Sequence, residues 1–271
     1  MLVVVLGVLA ALLVYASSRL GLDAPLVVLV VFGSLVVFFG VVLARKFRQM
    51  QALVTANQDA LAKLHQGKAL EALQAFEACE ASAVEGRFRQ LELLFASNRA
   101  AALSRLGRTR EAVALCRELR GHSDVSRHLK QQWGVFISVC VTAELLLPEP
   151  DLDAARRLLD QDGAVAAEAH RAGLLLPRCM LLLRAGHFAE VDPLLQAQWS
   201  NADALLGARQ LRQLQLLWAF ALHQSGRTVD ARRRLDAAGP DIVAEAKVLV
   251  QGWPELARFV AGLAEYRGAA L

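Results

Sequence analysis

Histidine and cysteine are the side chains best suited to ligate a metal or activate a nucleophile, and the chain has six of one and four of the other. Cys79, Cys116, Cys140 and Cys179 stand far apart, with no CxxC and no Cys/His pair at zinc-finger spacing. That pattern points to four reduced and mostly buried thiols in a reducing compartment, not to a disulfide framework or a zinc site. Of the histidines, His65, His187 and His223 flank turns, where a helix C-terminus favours partial positive charge and accounts for them without a metal. His122, Asp124 and His128 share a polar linker and come nearest to a ligand set; His170 stands alone. No phosphate-binding glycine loop, HExxH or GxSxG occurs. The expectation is a chain that is not an enzyme. No catalytic residue, metal, cofactor or small-molecule substrate is assigned to it.

Charge narrows the partners. The net charge is +4, and Arg19 and Asp23 are the only charged side chains before Arg45, so the rest of the chain also carries +4. That excess is mild and dispersed, and no basic stretch interleaves with stacking aromatics, which argues against nucleic acid.

The apolar residues are concentrated at the N-terminus. Leu26 to Ala44 runs for 19 residues without a charge and would reach roughly 28 Å as a helix, close to the hydrocarbon thickness of a bilayer. A first segment, about residues 2–18, is also apolar, and Gly21 and Pro25 break the chain between the two. Together they predict a two-helix transmembrane hairpin over residues 1–48. A cleaved signal peptide or a single anchor is the alternative, weakened by the lack of a basic n-region. Arg45, Lys46 and Arg48 come directly after the second segment, so the positive-inside rule puts the remainder of the chain in the cytoplasm. Localisation at a membrane, of the bacterial inner-membrane kind, is the corresponding expectation. Neither apolar segment holds the central ionisable residue that would mark a transporter.

From Gln49 onward the composition is rich in Ala, Leu, Arg, Glu and Gln, and no segment alternates with a period of two, which predicts an all-α fold. One phrase recurs: a turn, an acidic residue, an alanine and an apolar residue four positions later. It appears from Gly67 (GKALEALQAF), Gly107 (GRTREAVALC), Gly186 (GHFAEVDPLL) and Gly226 (GRTVDARRRL), with a degenerate copy from Pro150. The intervals between these turns are 40, 43, 36 and 40 residues. A turn glycine in the left-handed conformation ends one helix, and a small residue such as Ala72, Ala112, Ala155 or Ala231 lets the paired helix approach. Such a hairpin buries its apolar faces only when several stack.

The phrase resembles the turn of the tetratricopeptide repeat, which reads glycine, any, aromatic, any, glutamate, alanine. The likeness covers about Leu53 to Ala238 as five helix pairs. Gly67, Glu71 and Ala72 match, as do Gly107, Glu111 and Ala112; at Gly186, Val191 replaces the alanine. The spacing exceeds the family's 34 residues, so another helical-hairpin solenoid stays open as an alternative. Residues 49–239 are thus read as TPR-like repeats, and residues 240–271 as C-terminal capping helices. The two-segments-then-repeats layout is also similar to that of a bacterial membrane protein family associated with haem biosynthesis.

The resemblance implies that the first helix of each pair lines a groove for a protein partner. Family members use a clamp of Lys, Asn and Arg there; only Asn98 falls on a clamp position. The other groove positions are apolar: Leu64, Leu94, Ile137, Leu176, Met180, Leu183 and Phe220. An apolar groove suits a partner's amphipathic helix, and core packing is the alternative for the same residues. The function expected is a membrane-anchored scaffold or adaptor at the cytoplasmic face. Its rival is a structural subunit of a larger membrane complex, assembled through the hydrophobic hairpin.

Overall fold

A computed structural model describes residue 15 and residues 24–130, 132–162, 172–239 and 242–268. Every element among them is helical. The chain divides into two units, Met1–Thr55 and Ala56–Leu271.

The first helix, α1 (Ala24–His65), carries the apolar run and continues into the second unit. Leu29, Phe32, Val36, Val37, Phe38, Val41, Leu43 and Phe47 are all exposed on it. Among the described residues no helix is long and apolar enough to cross a membrane. The first predicted segment, residues 2–18, lies outside the described residues apart from Tyr15, which is exposed. The described fold is therefore all-α without a membrane hairpin in it.

The second unit is a succession of helix pairs. After the end of α1 come α2 (Ala69–Glu85), α3 (Arg89–Arg105) and α4 (Thr109–Gly121). A single turn, α5 (Val125–His128), leads to α6 (Trp133–Leu145) and the short α7 (Leu152–Arg157), which widens into a π-turn at Leu158–Asp162. Beyond it lie α8 (Leu175–Arg184), α9 (Phe188–Leu205), α10 (Ala208–Gln224), α11 (Thr228–Ala238), α12 (Ile242–Leu249) and α13 (Pro254–Gly268). Within pairs α3 packs on α4, α6 on α7, α8 on α9, α10 on α11 and α12 on α13. Between pairs the first helices form a row, α3 on α6, α6 on α8, α8 on α10 and α10 on α12.

The repeated phrase has a repeated physical basis. Gly67, Gly107, Gly186 and Gly226 all take φ between 77° and 82°. At each, the glycine N–H donates to the carbonyl three residues back and the next N–H to the carbonyl five residues before it. Lys68 N to Lys63 O (3.0 Å) and Arg227 N to Leu222 O (2.9 Å) are two of these. This is the Schellman end, which uses carbonyls the helix leaves unpaired. After Gly107, Gly226 and Gly186 the next residue pairs with the acidic residue three further on: Arg108–Glu111 (2.6 Å), Arg227–Asp230 (2.8 Å) and His187–Glu190 (2.7 Å); after Gly67 it is Lys63 that approaches Glu71, at 3.9 Å. An acidic group in that first turn also complements the helix dipole. At Pro150 no glycine is present. There the Asp151 carboxylate caps α7 by accepting from Ala154 N (2.8 Å). Buried Glu144 holds the same turn by accepting from Asp151 N and from Arg117.

The small-then-apolar rhythm sits in the core. Ala72, Ala112, Ala155, Val191 and Ala231 are buried, as are Phe76, Cys116, Leu159, Leu195 and Leu235. One continuous core runs from Ala60 to Val260 and includes residues of α12 and α13. The turn before α13 is pressed against the end of α6: a Cβ on Gly252 (φ 67°) would stand 2.2 Å from the Leu146 carbonyl oxygen. Arg184 fastens that junction, donating to the carbonyls of Leu147 (2.7 Å), Pro148 (2.9 Å) and Gly252 (3.3 Å) and lying over the Trp253 ring.

Candidate functional site

The first helices must bury their flanks against one another and against their partners, which leaves each a narrow strip facing out. These strips line a cleft of about 480 Å³. His65 at the end of α1 stands at it, with Ser104 and Arg105 of α3 and Ser138, Val139 and Thr142 of α6. Leu176 of α8, Arg209, Gln210 and Gln213 of α10, and Val248 of α12 complete the wall. Small polar and cationic groups thus alternate with apolar ones, and no carboxylate lines the cleft among the described residues.

The electrostatics are set by three basic side chains from three helices. Burial, then the fields of Arg105 and Arg209, holds the His65 imidazole below its ordinary pKa. The Arg105 guanidinium is itself fixed by donating to the Leu64 carbonyl. Ser138 donates to the Gly173 carbonyl at 3.1 Å. The hydroxyl of Ser104 is buried and makes no hydrogen bond among the described residues.

The eight expected groove residues are mostly elsewhere. Leu64, Ile137, Met180, Leu183 and Phe220 are buried, so the core alternative holds for them and they offer no surface to a partner. Phe220 meets Phe188, Trp253 and Phe259 ring to ring, with centroids 5.4–6.2 Å apart. Leu94 is half-buried against the core. Asn98, expected at a clamp position, donates to Asn57 at 2.8 Å and ties α3 to α1 instead. Leu176 is the residue of the eight that reaches the cleft. Sequence reasoning missed Ser104, Arg105, Ser138, Thr142 and Arg209. Of these, Ser138 and Thr142 carried a signal, as polar residues four apart in the otherwise apolar α6.

The residues that invite chemistry are otherwise engaged. Cys79, Cys116, Cys140 and Cys179 are buried thiols, and burial pushes the Cys179 thiol up to about 12. Asp124 accepts from Arg89 at 3.1 Å and lies 3.8 Å from His128. His223 packs on the Phe259 ring, and His170 lies outside the described residues. No cluster of three or more metal-ligating side chains occurs among the described residues.

Comparison with known proteins places no relative beside this arrangement: no known family, curated protein or solved structure matches the chain.

Proposed function

We propose that the chain is a TPR-like scaffold that holds a segment of a partner protein in the cleft along its first helices, tethered to a membrane by its apolar N-terminus. The observation that carries the reading is the cleft itself. It draws lining residues from α1, α3, α6, α8, α10 and α12, so each helix pair contributes to one surface through its first helix. Repeats that each add one strip to a shared wall suit an extended partner segment. The repeated glycine turns with their basic–acidic pairs support a TPR-like ancestry for the hairpins. The exposed apolar side chains of α1 and the basic residues Arg45, Lys46 and Arg48 behind them support a membrane anchor with the repeats on the cytoplasmic side. Tethering raises the effective concentration of whatever the cleft holds near the bilayer.

The rival reading, a subunit of a larger membrane complex, is favoured by the same exposed apolar residues, which another protein would cover as well as lipid does. Site-specific photo-crosslinking of the full-length protein in its native membrane separates the two. A crosslinker at Gln213 is expected to capture a protein and one at Val37 to capture lipid. Protein adducts from Val37 with none from Gln213 would favour the subunit reading and remove the adaptor one. Adducts from exposed Val229 equal to those from Gln213 would also remove it.

A further inference from the structure

We infer that two copies of the chain associate side by side through α1, along a seam formed by Leu43, Phe47, Met50 and Val54. The inference rests on the reading of α1 as a membrane anchor whose basic residues mark the boundary with water. It concerns a surface apart from the cleft.

Phe47, Met50 and Val54 follow Arg45 and Lys46 on α1, and all three are exposed, as is Leu43. Lipid covers the apolar run before Arg45 in the anchor reading, but it does not reach side chains on the aqueous side of the basic residues. The four recur at intervals of four, three and four residues, the rhythm that lays one face of a helix along a parallel neighbour. In the second unit the same register passes through Asn57, Leu61 and Leu64, which that unit packs into its own core. The chain thus covers the register from Asn57 onward and leaves Leu43 to Val54 open. Towards the N-terminus the register runs back through Gly40, Val36 and Gly33. Among the described residues beyond the helix's own turns, no atom lies within 4 Å of a Cβ on Gly33 or Gly40, which lets a second helix approach closely there. Val37, Phe38 and Val41 fall off the seam and are exposed to lipid.

Charge and symmetry favour a second copy as the occupant. On this register Arg45 and Arg48 fall on the outer faces, away from the seam. Lys46 flanks it opposite the second copy's uncharged Gln51, so like charges do not oppose each other across a parallel pair. The apolar run holds two anchored copies at one depth and in one orientation, so that Phe47 faces Phe47 and Met50 faces Met50 about a two-fold axis. Confinement to a membrane raises the effective concentration of the pair, which lets a short seam suffice.

The test uses the full-length protein in native membranes, with a cysteine placed on the seam by Met50→Cys or Val54→Cys and off it by Gln49→Cys or Ala52→Cys. The four native cysteines are buried, and the parent protein is the control for them. Mild oxidation is expected to give about tenfold or more disulfide-linked dimer at the seam positions than at the others, because the bond needs Cα atoms within about 7 Å. Native mass spectrometry in a non-ionic detergent should find the parent protein at twice the mass of one chain and Phe47→Glu at the mass of one. Melting of the repeats should be the same in both, since Phe47 belongs to the first unit. Release of the parent protein from membranes by alkaline carbonate would overturn the anchor reading and the inference with it. A membrane-bound protein that crosslinks equally at all four positions would overturn the inference alone. So would a parent protein with the mass of one chain, whether a photo-crosslinker at Met50 then captures residues 2–18 of the same chain or another protein. Should Phe47→Glu fail to reach the membrane, the crosslinking pattern and the mass of the parent protein decide alone.

Discussion

The indole N–H of Trp218 on α10 donates to the carboxylate of Asp192 on α9 at 2.8 Å. Trp218 is 1% exposed, so its polar edge needs a partner inside the core, and Asp192 supplies one. The same carboxylate accepts from Gln196 at 2.9 Å and from Arg227, the residue after the turn glycine Gly226. One aspartate therefore joins the hairpin of α8 and α9 to that of α10 and α11.

Removing the acceptor leaves the buried indole N–H unpaired. Asp192→Ala should destabilise the repeat unit by about 2 kcal/mol, the usual cost of an orphaned buried donor. Asp192→Asn keeps an acceptor for the indole and loses the pairing with half-exposed Arg227, which should cost less than the orphaned indole does. Chemical denaturation of both variants checks the order. Equal losses would show that charge, not the indole bond, is what Asp192 contributes.

Asp192 also sets an acid limb. Burial alone would push its carboxyl up, but the hydrogen bonds from Arg227, Trp218 and Gln196 outweigh this and hold it below the ordinary aspartate value. A carboxyl with a lowered folded-state pKa contributes stability that is fully present above its unfolded value of about 3.9 and lost as pH falls through the folded one. Melting temperatures should therefore fall below about pH 4, and Asp192→Asn should flatten that fall. Asp124 and Glu111, also lowered by arginine partners, titrate in the same window, so some slope remains in the variant.

The turn between α2 and α3 repeats the Schellman pattern without a glycine at its left-handed position. Phe88 N bonds to Ala83 O at 2.8 Å and Arg87 N to Val84 O at 3.0 Å, and Arg87 takes φ 57°. Gly86 stands one residue too early to relieve it. Arg87→Gly should stabilise the protein by about 0.5–1 kcal/mol, and Gly186→Ala should destabilise it by about 1 kcal/mol through the same conformational term. Among the described residues beyond its chain neighbours, no atom lies within 4 Å of a Cβ at Gly186, so the second variant isolates backbone strain from crowding. Opposite shifts in melting temperature are expected.

The four glycine turns were legible because each is encoded locally: a glycine, a basic residue, an acid three positions on and an alanine or valine beside it lie within six residues. The all-α fold is encoded by the same local rules. Faces were not legible. α6 reads WGVFISVCVTAEL and is apolar nearly all round, because neighbouring first helices cover both of its flanks and the paired helix its back. Periodicity cannot then single out an open strip, so Ile137 read as groove although it is buried. Ser138 and Thr142, the polar breaks four apart, mark that strip. Likewise Asn98 read as a ligand-facing amide because its partner Asn57 lies 41 residues away on α1. Arg105 and Arg209 are 104 residues apart, and only the packing of first helices in a row brings both to His65.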